Sequence, residues 1–80
     1  MTFIQIVDLT TDDPERLRAA DARWQAATRG RNTLRREAVY TDRHRPNRYV
    51  AICEFDSHED AVVNSGLPET NAAAAEIASL

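Results

Sequence analysis

Few side chains in this eighty-residue sequence are suited to acid–base or ligand chemistry. His44 stands in Asp42-Arg43-His44-Arg45-Pro46-Asn47. An imidazole titrates near neutral pH, so His44 is a candidate general base. Tyr49, at the start of an apolar run, is a candidate for proton transfer through its phenol. Tyr40, Trp24 and Arg36 are candidates for substrate binding. Aromatic rings and a guanidinium together suit a phenolic or carboxylate ligand. Each residue also has an ordinary structural role. Hairpin tips such as the one around His44 are solvated. Trp24 lies on a helical stripe with Leu17 and Ala20 and so suits a core. His58 falls in the first turn of a helix, next to a cap. Cys53 has no activating neighbour in sequence and reads as a small core residue.

The elements that position these residues follow from periodicity. Thr2 to Thr11 reads as a strand with Phe3, Val7 and Leu9 on one face and Ile4 and Ile6 on the other. Asp12-Asp13-Pro14-Glu15 is a strong helix start, with Asp13 as N-cap and Pro14 in the first turn. That helix is expected to run to about Arg29, with Leu17, Ala20, Trp24 and Ala27 inward and Arg16, Arg18, Asp21 and Arg23 away from the stripe. Gly30 is the expected left-handed C-cap. Thr33 to Thr41 reads as a second strand, followed by the polar hairpin of Asp42 to Asn47. Arg48 to Phe55 is the central strand, with Val50 and Ile52 on one face and Tyr49, Ala51, Cys53 and Phe55 on the other. Ser57 opens a helix that Ser65-Gly66-Leu67-Pro68 interrupts. Pro68 starts a last helix reaching about Ser79, whose inward stripe is either Ala72, Ala75, Ala78 or Ala73, Ile77, Leu80.

The order strand, helix, strand, strand, helix is a split βαβ pattern of the ferredoxin-like type without its last strand. The fold class is thus α+β, with an antiparallel sheet and the helices on one face. Gln5, Asp8, Arg35, Arg36, Glu37 and Glu54 fall on strands that look covered on both sides. Such charges pair across strands or between chains, or they line a wet cavity.

Composition narrows the function. The net charge is −3, which argues against a nucleic-acid binder with a basic face; all ten cationic side chains are arginine. No apolar run approaches the ~20 residues that span a bilayer, so no membrane partner is expected. No basic segment precedes an apolar one, which together with a lone cysteine leads us to expect a cytoplasmic protein. A domain this small has a marginal core. With one cysteine and no zinc-type spacing, oligomerisation is the favoured source of extra stability.

The segment Arg48-Tyr49-Val50-Ala51-Ile52-Cys53-Glu54-Phe55-Asp56-Ser57-His58-Glu59-Asp60-Ala61, followed by Asn64-Ser65-Gly66-Leu67-Pro68-Glu69-Thr70, resembles the dimeric α/β-barrel superfamily. Its nearest branch is the small antibiotic-biosynthesis-monooxygenase-like proteins. The Asn64-x-x-x-Pro68-x-Thr70 turn is the most specific mark. The resemblance implies a homodimer in which two ferredoxin-like sheets face each other as a barrel. It also implies a cofactor-free oxidation of a small aromatic or polyketide-like substrate, in which the substrate supplies the electrons and no cofactor or metal takes part. The alternative is a non-catalytic dimerisation or small-ligand-binding module. The haem-degrading branch is a poor match, since the first strand offers Gln5 and Asp8 and the only tryptophan is on a helix. Members usually close with a fourth strand. The expectation here is one domain over residues 1–80 with that strand absent or truncated.

Overall fold

The apolar run starting at Arg48 forms the middle of the sheet. The computed structural model describes residues 2–80. Its elements are β1 (Phe3–Thr10), α1 (Pro14–Ala27), β2 (Arg36–Thr41), β3 (Arg48–Phe55), α2 (His58–Ser65) and α3 (Pro68–Ala78). The strand order is β1-β3-β2, and β3 is antiparallel to both neighbours. β1 and β2 are therefore parallel, one strand apart, and joined through α1. This is the expected α+β, ferredoxin-like arrangement.

Strand register sorts the side chains into two faces. The pairs Phe3–Phe55, Gln5–Cys53, Val7–Ala51 and Leu9–Tyr49 share one face, together with Glu37 and Val39 of β2. The helices lie on this side. Ile4, Ile6 and Asp8, Val50, Ile52 and Glu54, and Arg36, Ala38 and Tyr40 share the other. No helix among the described residues covers that second face, so Ile6 is 65% exposed and Ile4 and Tyr40 are each 52% exposed.

Local chemistry explains where the helices begin and end. Asp13 caps α1 by accepting from the Arg16 amide at 3.2 Å, and Pro14 occupies the first turn. α1 ends at Ala27, two residues short of the expected Arg29, where the Thr28 hydroxyl donates to the Trp24 carbonyl at 2.7 Å. Gly30 then turns the chain at a φ of 81°, in the left-handed region open to glycine. The buried residues of α1 step by four, Ala20 to Trp24 to Thr28, so Ala27 is exposed instead of inward. The same geometry corrects the placement of Asp21. It lies one turn after Leu17 and three residues before Trp24, so it is half-buried on the inner face and not on the outer one.

β2 begins at Arg36 and not at Thr33. The Thr33 hydroxyl donates to the Asp60 carbonyl at 2.5 Å, which draws the chain toward α2 before it joins the sheet. Ser57 caps α2 by accepting from the Asp60 amide at 3.1 Å. In α3 the inward stripe is Ala73, Ile77 and Leu80, while Ala72, Ala75 and Ala78 face solvent. α3 packs on α1, with the Trp24 indole N–H donating to the Thr70 hydroxyl at 2.8 Å. Ion pairs Arg23–Glu76 and Arg31–Glu69 flank that contact. Among the described residues, the buried apolar core consists of Ala20, Trp24, Phe55 and Ala61.

Candidate functional site

A cavity of about 560 Å³ lies between the covered face of the sheet and α1 and α3. Its apolar wall includes Val7, Leu9, Trp24, Leu34, Phe55 and Ile77. An adjoining cavity of about 370 Å³ continues toward Tyr49, Ala51 and Leu17. Asp21, Glu37 and Cys53 border both, so the polar centre lies where the two meet. Volumes of this order, apolar with a few convergent polar groups, are typical of small-molecule sites.

Three elements build the polar centre. β2 alternation turns Glu37 toward the helices. β3 places Cys53 opposite it in register, and the Cys53 thiol donates to the Glu37 Oε2 at 3.8 Å. α1 brings the Asp21 carboxyl within hydrogen-bonding reach of Glu37. Burial, then the neighbouring Asp21, pushes Glu37 up to about 7. Two adjacent carboxyls in an apolar setting cannot both ionise cheaply. Burial and the carboxyl of Glu37 push the Cys53 thiol up to about 11. It stays protonated at neutral pH and is not an activated nucleophile.

Asn64 of α2 adds a further polar group to the larger cavity. It is only 7% exposed, and its Oδ1 is buried with no hydrogen-bond partner. A buried acceptor left unpaired costs about 1–3 kcal/mol. Gln5 of β1 lines the same cavity. Among the described residues, no group of three or more His, Cys, Asp or Glu is placed to hold a metal ion.

The five residues singled out from sequence do not converge. Trp24 forms part of the cavity wall, its indole N–H tied to Thr70. Tyr49 lines the adjoining cavity. Tyr40 and Arg36 lie on the opposite face of the sheet, where Arg36 Nε is 3.7 Å from Glu54 Oε2. His44 is exposed at the hairpin tip, in a shallow surface depression with Thr10, Pro46 and Arg48. Parity along the strands accounts for the split, since positions 36 and 40 face away from the helices while positions 37 and 49 face toward them. Asp21 and Asn64 were not expected in the site. The spacing of Asp21 from Leu17 and Trp24 would have found it. Asn64 stood out only as part of a turn pattern.

No family model matches the sequence, and no curated protein matches it. Solved structures do match. A protein of Nitrosomonas europaea assigned as an antibiotic biosynthesis monooxygenase superposes with a TM-score of 0.77 at 16% identity, covering 98% of this chain and 77% of that one. SnoaB, a cofactor-independent oxygenase from Streptomyces nogalater, superposes with a TM-score of 0.75 at 20% identity, covering 99% of this chain and 80% of that one. A single-residue variant of SnoaB gives a TM-score of 0.76 at 22% identity. The chain has the fold of the antibiotic-biosynthesis-monooxygenase-like proteins. At these identities the likeness concerns the fold, and the chemistry must be read from the cavity.

Proposed function

We propose that the protein is a cofactor-free oxygenase of small electron-rich aromatics that works as a homodimer. The observation that carries this reading is the cavity itself: an apolar, aromatic-lined space with a carboxyl pair at its polar centre. The same fold is found in a cofactor-independent oxygenase, which supports the reading. In such a reaction an aromatic with an acidic C–H or O–H loses a proton. The resulting anion is electron-rich enough to reduce dioxygen directly. Anthrone illustrates the balance: its methylene loses two hydrogens and gains one oxygen atom, and the second oxygen atom leaves as water. Trp24 and Tyr49 would line the substrate space from α1 and β3.

The dimer part of the reading rests on the uncovered face of the sheet. Ile6, Ile52 and Ala38 form one row across its three strands. Charges sit toward its margin and are paired, Arg48 with Asp8 at 2.6 Å and Arg36 with Glu54 at 3.7 Å. An apolar centre with a polar rim is the anatomy of an interface. A two-fold contact would bring this face against itself and bury more than ~2,000 Å² in total. Tyr40 and Arg36 would then belong to the interface, with His44 at its edge.

Oxygen uptake tests the catalytic part. Purified protein given anthrone should consume about one dioxygen per substrate, faster than buffer alone. No uptake with a broad panel of electron-rich aromatics would replace this reading with that of a ligand-binding dimerisation module.

A further inference from the structure

Asp21 of α1 and Glu37 of β2 meet where the two cavities join, and both open onto the space a substrate would fill. Cys53 of β3 is the third titratable group at that point, with its thiol donating to Glu37. β1 contributes Gln5, which carries no charge. Asp8 borders the cavity, but its carboxylate is held by Arg48 on the other side of the sheet, at 2.6 Å. α3 contributes no ionisable side chain to the walls, and Arg18 borders only the adjoining cavity. On the outer side Glu37 shares a polar depression with Arg29, Arg35 and Arg36. The independent sign of a missing ligand is Asn64, nine-tenths buried in the wall of the same cavity with its carbonyl oxygen unpartnered.

We propose that the Asp21–Glu37 pair is the base that takes the proton from the bound aromatic, while Asn64 accepts a hydrogen bond from a hydroxyl of that substrate. The inference rests on the oxygenase reading for the step with dioxygen, but not for the proton removal. A Glu37 carboxylate oxygen forms the new O–H bond. The C–H bond breaks, and its electron pair stays on carbon, delocalised into the ring system. Asp21 then accepts a hydrogen bond from the new Glu37 carboxyl, so the proton is retained between the two groups. Glu37, pushed up to about 7, is basic enough to take such a proton and still ionised in part at neutral pH.

Deuterium exchange separates proton removal from oxidation. Anthrone is incubated with the protein in D₂O without oxygen, and loss of its methylene proton signal is followed by NMR. Wild type is expected to exchange at least tenfold faster than Glu37→Gln and Asp21→Asn. Its rate should rise through a midpoint near neutral pH, and that dependence should be absent in Glu37→Gln. Both substitutions are isosteric and remove like-charge repulsion, so the variants should fold, as circular dichroism will show. Exchange unchanged in both variants would overturn the proposal. So would oxygen uptake without catalysed exchange, which would leave the oxygenase reading intact. Catalysed exchange lost in the variants, with no oxygen uptake in air, would uphold the base and remove the oxygenase reading. Neither exchange nor uptake would remove both.

Discussion

The two faces of one three-stranded sheet use the same apolar residue types to opposite ends. On the helix-covered face, Val7, Leu9, Cys53 and Phe55 leave cavities at the junction with α1 and α3, and polar groups are drawn into that space. Glu37 and Asn64 are half-buried or buried there without a cationic partner. On the open face the order is reversed. The charges Asp8, Arg48, Arg36 and Glu54 are paired with one another, and the middle row Ile6–Ile52–Ala38 is apolar. Unpaired polar groups in an apolar cavity cost stability, and they are tolerated where they meet a ligand. Paired charges around an apolar centre are the anatomy on which the proposed interface rests. On this difference rest the proposed chemistry of one face and the proposed association through the other.

The largest expected effect comes from a charge placed in the middle of the open face. Ile52 lies between Ile6 and Ala38. Ile52→Asp would bury an unpaired carboxylate in the interface, twice over because of the two-fold axis. At about 4 kcal/mol or more in total, this should weaken the dimer at least a thousandfold. Sedimentation at micromolar concentration should show a dimer for wild type and a folded monomer for the variant. A wild-type protein that sediments as a soluble monomer would break the comparison, because the open face would then need no cover.

A smaller effect tests the covered face through pH. Glu37 has a folded-state pKa near 7, above the usual glutamate range. As pH rises from about 4.5 to 7, the unfolded chain has released this proton while the folded chain still holds it. The folded state then binds more protons, so stability falls as pH rises through that window. The group is only half-buried, so after allowance for solvent the change is about 1–2 kcal/mol. Asp8, Asp42 and Glu69 shift the other way, held down by their arginine or backbone partners. Their contributions are lost only toward acid, below the window. Thermal melts should therefore show wild type more stable near pH 5 than near pH 7.5, with the slope flattened in Glu37→Gln. An equal slope in both proteins would show that Glu37 titrates normally.

Much of this arrangement was legible from residue order. Strand parity and the Asp13 and Ser57 caps depend on local sequence, and α1 and α2 start where those caps place them. The helix stripe is legible around Leu17, Ala20 and Trp24 but not at its edges. Thr28, and not Ala27, takes the inward position, and Asp21 lies half-buried beside Trp24 and not on the outer side. A charged residue is easily sorted to solvent when nothing local shows its partner, and the partner of Asp21 is a glutamate sixteen residues away on another element. The candidate site was harder to read for the same reason. Asp21, Glu37, Cys53 and Asn64 come from four elements, and only the packing of α1 and α2 on the sheet brings them to one cavity. Chemistry alone groups Tyr40 and Arg36 with Trp24 and Tyr49, while strand parity separates them.

The smallest effect is expected outside both faces, at the hairpin. Arg43, His44 and Arg45 are all exposed. The turn does not depend on their side chains. Asp42 Oδ1 accepts from the His44 and Arg45 amides at 2.8 and 3.2 Å, and the Arg48 amide donates to the Arg45 carbonyl at 3.0 Å. Arg48 in turn holds Asp42 at 2.9 Å. All of these contacts survive truncation at 43, 44 and 45. Exposed changes of this kind stay within about ±0.5 kcal/mol each, so the triple alanine variant should melt within a few degrees of wild type. The variant also weighs His44 against the carboxyl pair. If Asp21 and Glu37 take the substrate proton, deuterium exchange into anthrone should be unchanged when His44 is gone. A tenfold loss of exchange with normal stability would move the base to the hairpin. A large loss of stability or of dimer would instead extend the interface from the open face to the loop beside it.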